Sequence, residues 1–138
     1  MYPRASNTEA PEHAPQGIAK DFEDASDCLR RRSLSAAGIM FRRVLERATL
    51  ELAEDKEAMR SRKLFGRIET LADERILAPA MEDPARAIRL EGNEAAREDE
   101  EFDEPRAWQM AEFAELFLLY RFTLPERVKR ARGEAAAD

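Results

Sequence analysis

Cysteine and histidine are nearly absent, with Cys28 and His13 the only ones in the 138-residue chain. A lone cysteine excludes an intramolecular disulfide and any cysteine-built metal site. A lone histidine leaves neither a two-histidine metal site nor a conventional triad. No glycine-rich phosphate loop and no nucleophile elbow occurs. The sequence therefore predicts no metal, no cofactor and no catalytic residue of a common type. Long apolar runs are also missing. The longest, Leu116–Tyr120, falls far short of the ~20 residues that cross a bilayer, so no membrane partner is expected. The N-terminal segment MYPRASNTEAPEHAPQG is polar and proline-rich and lacks a signal pattern, which predicts a cytoplasmic location.

What the chain has in quantity is charge, at 38% of residues against 43% hydrophobic. This is the composition of one globular domain with a strongly charged surface. The net charge of -6 is unevenly spread. Residues 91–104 carry eight acids against Arg97 alone, and the rest of the chain is close to neutral. The bases are mostly arginine, which suits planar contacts to carboxylate or phosphate and also ordinary ion pairs on helix surfaces.

Apolar spacing is helical throughout, and no alternating strand pattern survives. Residues 1–17 read as a flexible leader. Ile18, Phe22, Ala25 and Leu29 predict a first helix reaching about Arg32, with Ser33 as the N-cap of the next. Ala37, Met40, Phe41, Val44, Leu45, Ala48 and Leu52 make the second helix. A charged connection follows, to Lys63. Leu64, Ile68, Leu71 and Ala72 predict a third helix. Asp83 and Pro84 open a shorter fourth one. Pro105 starts a fifth, bearing Trp108, Ala111, Phe113, Leu116, Phe117, Leu119 and Tyr120. That fifth helix is apolar on more than one face, so it is either central or covered by a second subunit. The expectation is an all-α bundle of four to five helices over residues 18–125, followed by a short basic helix and tail, 126–138.

The segment AAGIMFRRVLERATLEL, residues 36–52, and the segment IRLEGNEAAR, residues 88–97, resemble the family called domain of unknown function 4145. The resemblance spans roughly residues 18–125, closing on the apolar helix that ends at Pro125. That family is grouped with HEPN-like helical domains. The resemblance implies a helical bundle, usually homodimeric, of bacterial or phage origin and found alone or attached to restriction and other defence proteins. Some HEPN domains are metal-independent ribonucleases using an arginine and a histidine, and others are binding or assembly modules. The matching positions here are Arg89, Gly92, Asn93 and Arg97, with Arg97 where the family carries its histidine.

On a continuous helix Arg89, Asn93 and Arg97 would share one face. A guanidinium stays protonated at any working pH, so Arg97 could hold a phosphate but could not take a proton. His13 would have to substitute, and it lies in the leader. The motif is therefore read as degenerate, a packing and dimerisation feature. The alternatives are an atypical HEPN ribonuclease and an RNA- or nucleotide-binding protein without cleavage. For nucleic acid the candidate contacts are Arg30, Arg31 and Arg32 together with Arg127, Lys129 and Arg130. Trp108 and Cys28 are expected in the core. The reading that follows is a non-catalytic, homodimeric interaction module, accessory or regulatory, with a protein partner whose identity the sequence does not name.

Overall fold

The computed structural model describes residues 9–52, 55–73, 81 and 103–133. Every element among them is helical. They are α1 (Gln16–Arg30), α2 (Leu34–Leu52), α3 (Lys56–Arg60), α4 (Leu64–Asp73) and α5 (Glu104–Leu118), then a π turn (Leu119–Thr123) that runs directly into α6 (Leu124–Ala131). The all-α reading holds for these residues. The fourth helix expected from Pro84 lies outside them.

The helical stripes read from the sequence become the core. Ile18, Phe22, Ala25 and Leu29 of α1 are buried against Ala37, Phe41, Val44, Leu45 and Ala48 of α2. Phe22 and Phe41 meet edge to face, their ring centroids 5.5 Å apart. Met59, Leu64, Ile68, Leu71 and Met81 extend the same cluster. Each fully buried side chain of this size contributes about 1.5–3 kcal/mol. Helix α5 lies against α2 and α1 and buries Ala107, Trp108, Met110, Phe113, Ala114, Phe117 and Leu118. Its broad apolar surface is thus explained within one chain, because α5 is a central helix.

Helix ends follow local chemistry. Asp103 caps α5, its carboxylate accepting from the Arg106 amide at 2.9 Å, and Pro105 occupies the first turn, where its missing N–H costs nothing. Helix α1 ends in a Schellman motif. The Ser33 amide donates to the Cys28 carbonyl and the Arg32 amide to the Leu29 carbonyl, with Arg32 left-handed at φ 65°. Ser33 directly precedes α2, and its carbonyl accepts from the Ala37 amide at 2.9 Å. The segment read as a plain connection contains α3, capped by Asp55, which accepts from the Ala58 amide. Five residues are too few to show a 3.6-residue period.

Polar side chains tie the helices together. Arg47 of α2 pairs with Asp21 of α1 and reaches the Gly17 carbonyl. A Cβ at Gly17 would stand 2.7 Å from the Arg47 guanidinium, so a larger residue there would push the end of the Arg47 side chain aside. Arg67 of α4 donates to three carbonyls, those of Glu46 at 2.8 Å, Arg62 at 3.0 Å and Arg60 at 3.3 Å.

Candidate functional site

The C-terminal end of the bundle is where the structure departs most from simple periodicity. The buried rows of α5 end at Phe117 and Leu118. Continued as α-helix, the inward row would next reach Arg121, four residues after one and three after the other. That would carry a guanidinium into the core, at high cost. The π turn adds a residue and moves the inward position forward. Arg121 is exposed and sits 5.5 Å from the Phe122 ring centroid. Phe122 packs against the core and Thr123 is 3% exposed. The wide turn also precedes Pro125. A proline inside a regular helix clashes with the carbonyl four residues back. Here the Leu124 amide bonds to the Leu119 carbonyl instead of the Tyr120 carbonyl, so the rod continues through α6.

The same shift places three large apolar side chains outside. Tyr120 is 37% exposed, Leu124 38% and Val128 47%. In an uninterrupted α-helix the eight residues from Tyr120 to Val128 would advance ~80° beyond whole turns. The extra residue of a π turn takes back ~100°. The three side chains therefore stand nearly in line along the rod, with Leu116, half-buried, one turn before them.

The segment ahead of α1 returns to this end. The Thr123 hydroxyl donates to the Glu12 carbonyl at 2.5 Å, and Arg127 donates to the Glu12 carboxylate at 3.1 Å. That hydrogen bond and the charge of Arg127 hold the Glu12 carboxyl below the usual carboxylate range, with smaller help from His13 and Arg130. The Ala10 amide bonds to Glu23 at 3.2 Å, and Ala10 and Ala14 rest on the core. Residues 9–15 thus run along the bundle as a strap.

The two basic sets stand apart. Arg32 pairs with Glu104 at the start of α5, whereas Arg127 pairs with Glu12 just ahead of α1. Helix α1 separates them, and its 15 residues span about 22 Å. Arg30 and Arg31 both pair with Asp27, and Lys129 pairs with Glu126. Arg130 lies one turn beyond Arg127 on exposed α6. Arg89, Gly92, Asn93 and Arg97 lie outside the described residues. Trp108 is buried in the core. Cys28 is half-buried, its thiol 3.8 Å from the Met40 sulfur. Among the described residues no group of three His, Cys, Asp or Glu is arranged to hold a metal ion, and no helix is long and apolar enough to cross a membrane.

The sequence reading did not single out Tyr120, Leu124 and Val128 as a surface, nor Thr123 and Glu12 as partners. The available signal was Arg121, a charge falling in the inward register of an apolar helix, followed by a proline four residues later.

These features define a class, a small all-helical domain with ion pairs between its elements, exposing Tyr120, Leu124 and Val128 near its C-terminal end and Ile39 on α2. The family named Domain of unknown function (DUF4145) matches residues 23–134, and the chain belongs to it. The match takes in the π turn and α6, and the strap precedes it. No curated protein and no solved structure matches the chain.

Proposed function

We propose that the protein is a non-catalytic, HEPN-like interaction module that works as a homodimer, in an accessory or regulatory role in the cytoplasm of a bacterium or in a phage-related setting. One observation carries the reading: the line of Tyr120, Leu124 and Val128, exposed along the helical rod. Three exposed apolar side chains in line favour a protein partner over solvent. The defence-related setting rests on the family resemblance alone. The ion pairs of Arg30, Arg31, Arg32, Arg127 and Lys129 favour a protein partner over nucleic acid, since a phosphate backbone would have to displace each carboxylate.

The test is the mass in solution by light scattering on a size-exclusion column, with and without a short RNA. A species near twice 15.8 kDa that ignores RNA supports the module. A complex that forms with RNA in low salt and dissolves in high salt overturns it in favour of a nucleic-acid binder. RNA cleavage abolished by Arg89→Ala would establish the ribonuclease alternative.

A further inference from the structure

Helix α6 has little of its own to hold it to the bundle. It has eight residues and buries none of them, and a helix that short without a buried face is marginal by itself. The π turn supplies backbone continuity on one side. The strap supplies a clasp, and both bonds of the clasp come from one residue. The Glu12 carbonyl accepts from the Thr123 hydroxyl at 2.5 Å, and the Glu12 carboxylate accepts from Arg127 at 3.1 Å. Thr123 and Arg127 stand one helical turn apart. Residue 12 therefore grips the junction of π turn and α6 with its main chain and its side chain at once.

The strap depends on the rod in the same way. The side chains it lays on the core, Ala10 and Ala14, are small. The bond from the Ala10 amide to Glu23 of α1 is exposed. His13 is held left-handed at φ 71°, a conformation that costs free energy for any residue with a Cβ. Against that cost the strap sets chiefly its grip on Thr123 and Arg127.

We propose that the strap and α6 form one cooperative unit, a latch that opens and closes together while α1, α2 and α5 stay folded. Such a unit is a local opening well below global unfolding in cost. In the closed state Glu12 keeps the Thr123 hydroxyl and the Arg127 guanidinium occupied. In the open state both donors lose their acceptors on this chain, and α6 loses its clasp. The latch thereby sets whether Leu124 and Val128 are presented on an ordered helix. That consequence rests on the reading of their line as a partner surface, whereas the latch itself belongs to the single chain and stands whatever its assembly.

Native-state hydrogen exchange of the full chain, read residue by residue by NMR, tests the latch. The Ala10 amide of the strap and the amides of α6 should exchange through an opening that leaves those of α2 protected. Three substitutions probe the clasp. Glu12→Gln weakens the pair from the strap side, and Arg127→Gln weakens it from the α6 side. Thr123→Val removes the hydroxyl and keeps the side-chain shape. That hydroxyl makes no capping bond to α6, so its effect on α6 passes through the strap. Each variant should speed exchange in both the strap and α6 by about two- to tenfold, the range expected for an exposed pair or one hydrogen bond. Exchange in α2 should stay as in the wild type, which also shows that the fold is intact. Acceleration confined to the strap or to α6 overturns the latch, as does no acceleration in either. Equal acceleration in α2 also overturns it, because the bundle would then open as a whole.

Discussion

Arg67 offers a measurable test of how the bundle is joined. One guanidinium on α4 donates to the carbonyls of Glu46, Arg62 and Arg60, joining α4 to α2, to the end of α3 and to the turn between α3 and α4. The Glu46 bond is the shortest at 2.8 Å and is partly buried; a hydrogen bond from a charged donor in such a place contributes about 1.5 kcal/mol. The other two are exposed and contribute roughly 0.5 kcal/mol each. The Glu46 carbonyl also accepts from the Thr49 hydroxyl at 3.0 Å, so removing Arg67 does not orphan it and adds no large desolvation penalty. Arg67→Met should then lower stability by about 2.5 kcal/mol, a large share of the 5–15 kcal/mol typical of a domain. Arg67→Lys should recover little, because an ammonium is a point donor and cannot reproduce a planar fork aimed at three carbonyls. Urea denaturation followed by circular dichroism reads both variants. An Arg67→Lys chain within about 0.5 kcal/mol of wild type would refute the reasoning, since a point charge would then suffice.

Three further outcomes follow from named contacts. Phe41→Ala, at a side chain 1% exposed and packed edge to face on Phe22, should cost about 3–5 kcal/mol in urea unfolding. Arg32→Gly should be neutral or slightly stabilising, because it relieves about 1 kcal/mol of left-handed strain and gives up an exposed ion pair with Glu104 worth a few tenths; a loss above about 1 kcal/mol in the same assay contradicts this. Glu12 is held below the ordinary carboxylate range by Arg127. Its folded value is depressed, so its contribution is fully present above the unfolded value and is lost as pH falls through the folded one. NMR titration of its side-chain carboxyl should give a midpoint below that of a free glutamate, and Arg127→Gln should move that midpoint upward.

Much of this fold is written plainly in the sequence because its core is made by regular helices. Ile18, Phe22, Ala25 and Leu29 repeat every three or four residues, and those four are buried. The same spacing found Ala37, Phe41, Val44, Leu45 and Ala48. Helix starts are legible where chemistry is local, as at Ser33 and Pro105. Helix α3 was not, because Met59 is its single buried residue and one residue makes no period. The candidate site was less legible for a different reason. Pairings such as Arg32 with Glu104, Arg127 with Glu12 and Thr123 with the Glu12 carbonyl join residues 72, 115 and 111 positions apart, and no local pattern encodes them. The motif Arg89, Gly92, Asn93 and Arg97 was read from a resemblance, and its residues fall outside those described.

The C-terminal rod shows how a one-residue change of register alters a functional argument. Read as plain α-helix, the chain from Trp108 onward carries more apolar residues than one face can hold, and a partner subunit is one way to cover them. The structure removes that reason, since Trp108, Phe113, Phe117 and Leu118 of α5 are all buried within the same chain, where α5 packs on α2 and α1. The π turn then supplies another. It turns Arg121 out of the core and draws Phe122 and Thr123 in, and the same rotation carries Leu124 and Val128 to the surface beside Tyr120. Deleting one residue of the turn tests whether these events are a single device. If they are, Leu119 deletion should return Arg121 toward the core and cost several kcal/mol, as burial of an unpaired charge does, while also dispersing the exposed apolar line. A deletion chain that keeps wild-type stability would separate the two and leave the exposure of Leu124 and Val128 without this cause.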